Sequence, residues 1–148
     1  MTSCACSAFR DPLRSFQDVL RRCEAAERIS LGLRSVATDR LSWRSVWSCT
    51  ICRQLWACEY PFGEMQGGGP RCFYAIEAED PTAWLESGPE LTSGLRRRHE
   101  DQMFFETLSD DQGTGSCRHP GCLKPPITNS VFCKYHHFEM IRGYPYVA

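Results

Sequence analysis

The sequence predicts an α+β fold: a small antiparallel β-meander with flanking helices and a metal-stapled knuckle at its C-terminal end. Three observations predict it. Apolar and polar residues alternate with a period of two between Trp43 and Glu77, as a half-buried sheet requires. Helix-opening Asp-Pro pairs stand at Asp11-Pro12 and Asp80-Pro81. Close donor pairs occur at Cys117-Arg-His-Pro-Gly-Cys122 and Cys133-Lys-Tyr-His136, a spacing that wraps four ligands around one tetrahedral ion. The 148 residues suffice for one α+β domain over 11–148, with residues 117–142 as its knuckle and 1–10 as a flexible tail.

Asp11 is an N-cap and Pro12 a first helical residue, after which Leu13, Phe16, Leu20 and Cys23 recur at helical spacing. The helix is expected to reach Ile29, with Gly32 as a stop. Cys23 lies on its apolar stripe and reads as core, while Cys4 and Cys6 fall in the tail and are assigned no ligand role. Strands are expected from Ser42 to Cys49, from Arg53 to Tyr60 and from Arg71 to Glu77, with Cys49-Thr-Ile-Cys52 as the first tight turn. A short helix then opens at Asp80-Pro81 and breaks at Gly88-Pro89, and a longer one spans Glu90 to Leu108. Its Leu91, Leu95, Met103, Phe104 and Leu108 share a side, and Arg96-Arg97-Arg98 is balanced by Glu100-Asp101. Residues 109–116 are a polar linker.

In the knuckle, Pro120-Gly121 supplies the reversal that returns Cys122 beside Cys117, and Pro125-Pro126 keeps the spacer out of a helix. A short helix after Cys133, ended by Gly143, carries His136. Cys117, Cys122, Cys133 and His136 thus form a treble-clef-like Zn²⁺ site, structural in kind because four protein donors leave no position for water. His119 and His137 are alternative donors. The second thiol pair, Cys49 and Cys52, leaves three readings open: a second zinc site with two of Cys58, Cys72 and His99 (Cys58 and Cys72 foremost), a site shared with Cys133 and His136, or a turn without metal. Its strand flanks disfavour a redox dithiol, which belongs at a helix N-terminus.

The net charge of −1 is unevenly spread. Residues 49–116 carry five Arg against twelve acids, or −7, while residues 117–148 carry four bases and one Glu. An acidic middle repels phosphate, so nucleic acid is disfavoured as a partner and a basic protein is favoured. No apolar run has the length of a membrane span, and the N-terminus lacks the basic and apolar regions of a secretory signal. Ten cysteines without export imply a reducing, cytoplasmic setting in which thiols bind metal.

Between the second and third strands lies Tyr60-Pro-Phe-Gly-Glu-Met-Gln-Gly-Gly-Gly-Pro70. The glycine triplet permits positive φ or close backbone approach, but no helix or Lys follows to make a phosphate loop. It reads instead as a recognition loop with Tyr60, Phe62, Glu64 and Met65 as contact residues. This run resembles the Tyr-Pro-x-Ser-Glu-x-His-Gly-Gly-Gly-Pro-Pro signature of a small immunity-protein family from bacterial polymorphic toxin systems, and Trp56 and Glu59 fall near that family's aromatic-acidic strand. The likeness covers residues 56–77, with Gly63, Gln66 and Arg71 where the pattern has Ser, His and Pro. It implies a small strand-rich protein that binds and neutralises a cognate toxin.

No nucleophile elbow, His-Glu-x-x-His or paired-carboxylate motif appears, and scattered histidines do not make a mechanism. The expectation is a non-catalytic zinc protein that docks a protein partner. Against it stand a zinc-finger regulator using Arg118, Lys124, Lys134 and Arg142, and a zinc hydrolase in which water replaces one ligand.

Overall fold

The computed structural model describes residues 3–88 and 90–148. It has the predicted α+β architecture and divides into two compact units, residues 1–97 and 98–148. The boundary falls within one helix.

The first unit is built on a four-stranded antiparallel meander, β1 (Leu33–Thr38), β2 (Ser45–Cys49), β3 (Leu55–Glu59) and β4 (Cys72–Ile76), in sheet order 1-2-3-4. The three predicted strands are β2 to β4, each shorter at its ends than expected. β1 escaped the sequence because its side chains are mostly exposed and its pairing with β2 slips between Ser35 and Ala37, which destroys strict alternation. Registers Trp47↔Trp56↔Ala75 and Val46↔Ala57↔Tyr74 send alternate residues to opposite faces.

Both faces are covered. One packs Val46, Ala57, Cys72 and Tyr74 against Val19 of α1 (Phe16–Glu24), Leu85 of α3 (Pro81–Ser87) and Leu95 of α4 (Thr92–Thr107). The other packs Trp56, Cys58 and Phe73 against Ala26 and Ile29 of α2 (Ala26–Ser30) and against Cys6. Residues 3–10, expected as a flexible tail, instead form a 3-10 turn over Cys6–Phe9 whose Cys6 is only 5% exposed. Cysteine is small and apolar enough to close the rim of the core there.

The first predicted helix is divided and begins later. Ser15, not Asp11, is its N-cap: Ser15 Oγ accepts from the Asp18 N–H at 3.3 Å, and Asp18 Oδ2 accepts from the N–H groups of Ser15 and Arg14 at 3.1 and 2.9 Å. This capping box satisfies more orphan donors than an Asp11 cap offers. Asp80 caps α3 as expected, accepting from Thr82 N–H at 3.0 Å, with Pro81 at the first helical position. α3 ends at Gly88, and Pro89 of the predicted break lies outside the described residues.

α4 has an unusual start. Its cap is Glu59, at the end of β3, whose carboxylate accepts from the Leu91 and Thr92 N–H groups and from Thr92 Oγ1 at 2.8–3.1 Å. The same carboxylate takes Arg44 Nε at 3.1 Å and the Tyr74 hydroxyl at 2.6 Å, all of it buried. Leu95 is the core residue of α4, whereas Met103 of the predicted stripe is exposed.

The second unit comprises the C-terminal part of α4, a looped knuckle and α5 (Lys134–Arg142), the expected short helix ended by Gly143. Phe138, fully buried, is ringed by Phe104, Phe105, Tyr144 and Tyr146 at centroid distances of 5.2–6.2 Å. The 109–116 linker is not free: Gln112 bridges Ile127, and Thr128 N–H donates to Asp111 C=O at 2.9 Å. No helix among the described residues is long and apolar enough to cross a membrane.

Candidate metal centres and an exposed loop face

Cys117, Cys122, Cys133 and His136 converge, with donor atoms within 4.8 Å of one another. Gly121, at φ +79°, lets the chain reverse so that Cys122 N–H reaches His119 C=O at 3.1 Å and Cys122 returns beside Cys117. Cys117 N–H donates to Lys124 C=O at 2.8 Å and Arg118 N–H to Val131 C=O at 2.9 Å, tying the two halves of the knuckle. Cys133 is the N-cap of α5, which places His136 one turn in.

The spacings suit one ion. His136 Nδ1 lies 3.3 Å from Cys117 Sγ and 3.2 Å from Cys133 Sγ, and Cys122 Sγ lies 3.9 Å from Cys133 Sγ. A tetrahedral ion with bonds of about 2.3 Å to sulfur and 2.0 Å to nitrogen has S···S edges of roughly 3.8 Å and S···N edges of roughly 3.5 Å. Disulfide sulfurs stand about 2.05 Å apart, so these are free thiols, like all ten cysteines. Burial pushes the Cys117 thiol up, but backbone N–H groups of Cys133 and His119 together with the Cys122 and Cys133 thiols hold it below the usual range. Burial raises Cys133 against the opposing N–H of His136. His119 stacks on the His136 ring at 3.7 Å, and His137 Nδ1 is 2.9 Å from Ser130 Oγ. Neither replaces His136, although His119, His136 and Glu139 form a more exposed grouping that shares it.

The second thiol pair finds other partners than those expected. Cys49 and Cys52 cluster with Cys4 and Cys6, within 4.8 Å, and not with Cys58 and Cys72 or with Cys133 and His136. The reason is register. Cys58 pairs with Phe73 and Cys72 with Glu59, so the two thiols face opposite sides of the sheet. Burial pushes Cys58 up to about 11, and the neighbouring Cys23 thiol with burial raises Cys72; both pack as core residues. Cys52, exposed in its turn, is drawn down to about 6, first by the Gln54 backbone N–H. The one sequence signal for Cys4 and Cys6 was their own Cys-x-Cys spacing, because the thiols they meet lie more than forty residues away.

The glycine loop forms the other candidate surface. Gly68, at φ +85°, lies flat under the Trp43 ring, where a Cβ would sit 2.9 Å from Cζ3. Of the four expected contact residues, Met65 (53% exposed) and Glu64 face solvent. Phe62 and Tyr60 are half-buried supports: Phe62 packs edge-on to Phe16 at 5.9 Å beneath the Arg96 guanidinium, and Tyr60 meets Trp43 at 6.1 Å. Arg96 also pairs with Glu64.

Trp43, expected within the strand that forms β2, lies outside it. It stands before β2 with φ +61°, a region bulky residues rarely occupy, and is 54% exposed beside Leu41 at 97%. Asp39 holds this loop by accepting from Leu41 N–H at 3.0 Å and Ser42 Oγ at 2.7 Å. The Ser42 hydroxyl, then the Leu41 N–H, keep its carboxyl below the usual range. Leu41, Trp43, Tyr60, Glu64 and Glu90 line a shallow cleft of about 330 Å³.

No protein-family model, curated protein or solved structure matches the chain.

Proposed function

We propose that this chain is a zinc-binding, non-catalytic docking protein. The observation that carries the reading is the convergence of three thiols and one imidazole at tetrahedral spacing. Cys117, Cys122, Cys133 and His136 would hold Zn²⁺ and fill its coordination shell, giving a structural centre without room for an activated water. A hydrolase reading loses its open position by the same geometry. The nucleic-acid reading is weakened by the bases of the knuckle. Lys134 pairs with Asp110 at 2.9 Å, Arg142 with Asp101 at 3.3 Å, and Lys124 lies over the Tyr135 ring.

The partner reading rests on Leu41, Trp43 and Met65, large apolar side chains held outward on pre-ordered loops and flanked by Glu64 and Glu90. Pre-ordering lowers the entropy cost of binding, and an exposed Trp in an apolar setting is the usual anchor of a protein interface. The acidic flank suits a basic protein. The resemblance over residues 56–77 supports a toxin as that protein and an immunity role for this chain. Its acidic strand residue, Glu59, is buried here as a structural group, so the contact residues would be those at the loop tips.

Co-expression with a toxin encoded beside its gene tests this. The intact chain is expected to protect cells and to bind the toxin stoichiometrically. Trp43→Ala is expected to cost about 2 kcal/mol of binding, roughly thirtyfold, with zinc content unchanged. Failure to bind or protect, or a silent Trp43→Ala, overturns the docking reading, and a chain purified without zinc overturns the metal reading.

A further inference from the structure

The cluster of Cys4, Cys6, Cys49 and Cys52 is built, not accidental. Cys49 ends β2, and the chain then turns through Cys52 with Arg53 at φ +66°, so that Arg53 N–H reaches Cys49 C=O at 3.1 Å and Cys49 N–H reaches Gln54 C=O at 2.9 Å. This turn aims amides at both sulfurs. Ile51 N–H donates to Cys49 Sγ at 3.4 Å, and Gln54 N–H serves Cys52. Arg10 Nη2 lies 3.6 Å from Cys52 Sγ. From below, the fully buried Trp56 presents an indole Nε1–H that has no hydrogen-bond partner among the described residues, in the same core cluster as Cys6 and Cys49.

The Ile51 amide at Cys49 and the Arg10 guanidinium at Cys52 are placed to stabilise sulfur as an anion. A buried indole N–H without an acceptor is costly, and a thiolate is a stronger acceptor than a thiol. Four thiolates within this radius repel one another strongly unless a cation sits among them. Sulfur-only donors at tetrahedral reach select zinc or a comparably soft divalent ion.

We propose that Cys4, Cys6, Cys49 and Cys52 form a second, all-thiolate structural zinc site, which fastens the N-terminal 3-10 turn to the β2–β3 turn and closes the Trp56 face of the sheet. Binding exchanges thiol protons for the ion, with the protons released to water and no change of oxidation state. The site is independent of the Cys117 centre, with no ligand in common.

Metal analysis of the full chain purified without chelator tests it, together with Co²⁺ substitution of the same protein. Two zinc ions per chain are expected. The Cys4→Ser, Cys6→Ser variant is expected to keep one, and its Co²⁺ form should show the three-thiolate spectrum of the remaining centre. The Cys117→Ser, Cys133→Ser variant should show the four-thiolate spectrum, with stronger sulfur-to-metal charge transfer and d–d bands at longer wavelength. Hydrogen exchange of residues 3–10 should accelerate at least tenfold in the Cys4→Ser, Cys6→Ser variant, with β3 and β4 unchanged, a readout that does not depend on the C-terminal unit folding. One zinc in the intact chain, unaltered in amount and spectrum when Cys4 and Cys6 are serine, overturns the proposal. Loss of zinc from the Cys117 centre alone leaves it standing and overturns the metal reading given above.

Discussion

Glu59 shows how one side chain sets local order. Its carboxylate accepts from Arg44, Tyr74, Thr92 and the first amides of α4, and its side chain is 2% exposed beside an Arg44 side chain at 5%. Arg44 also donates to Gly88 C=O at 2.8 Å and lies over the Trp84 ring at 4.9 Å, so it cannot swing out to water without unmaking α3's packing. Burying an ion pair gains little net stability, but removing one member leaves the other charged and unmatched. Glu59→Ala is therefore expected to lower stability by about 3–5 kcal/mol in denaturant titrations, with Glu59→Ala, Arg44→Met recovering part of the loss. A Glu59→Ala protein as stable as the parent would show that water reaches this network. None of this was legible in the sequence, where Glu59 is one acid among many, because the groups it caps arrive from distant segments. The C-terminal ligands were legible for the opposite reason: Cys117 with Cys122, and Cys133 with His136, are close in the chain, so local spacing alone implies their convergence. Whether Cys58 and Cys72 could join Cys49 and Cys52 was not legible, because their neighbouring strands have a register that the sequence does not give and that turns the two thiols apart.

Among elements, the sheet and the Asp80-Pro81 helix follow from alternation and capping chemistry, while the start of α1 does not follow from Asp11-Pro12. Two helix-opening signals compete there, and the Ser15–Asp18 capping box prevails because it is reciprocal and places Asp18 at the positive end of the helix. The Arg14 N–H first, then the Arg21 guanidinium, hold the Asp18 carboxyl down at about 2, against an ordinary 3.8. A depressed folded-state value means that the contribution is fully present above the ordinary value and disappears as pH falls through the folded one. The stability difference between the parent and Asp18→Asn is thus expected to be constant above about pH 5, to be mostly lost by about pH 2 and to vanish near pH 1. Tryptophan fluorescence reads it cleanly, since Trp43, Trp47, Trp56 and Trp84 all lie in the first unit. A difference that persists unchanged at pH 2 would mean that the cap acts through neutral hydrogen bonding alone. β1 remained invisible at this scale because an exposed edge strand with a bulge carries no period for the sequence to display.

Across the molecule, the two units draw stability from different sources. The first has a sheet buried on both faces, with Val46, Trp56, Ala57, Cys72 and Phe73 at or near zero exposure. The second surrounds a single fully buried side chain, Phe138, with partly exposed rings and looped backbone. A core of that size rarely supplies more than about 3–5 kcal/mol, whereas ligation of structural zinc by such donors is worth about 10–16 kcal/mol at neutral pH. In the second unit, therefore, an ion held as proposed would outweigh the apolar contacts and couple folding to metal. In the first, an ion at the Cys4 cluster would fasten a terminal segment onto a sheet whose other face is already closed by α1, α3 and α4. Treatment with a strong zinc chelator is accordingly expected to abolish hydrogen-exchange protection across residues 98–148 and residues 3–10 while amides of β3 and β4 stay protected, and restoring zinc should reverse the loss. Simultaneous collapse of β3 and β4 would show that the sheet also depends on metal, and unchanged protection at residues 98–148 would show that the Phe138 cluster holds its unit without help. Acidification should act on the ligand segments in the same direction as the chelator, because protons compete with the ion for sulfur and imidazole and affinity falls as pH falls.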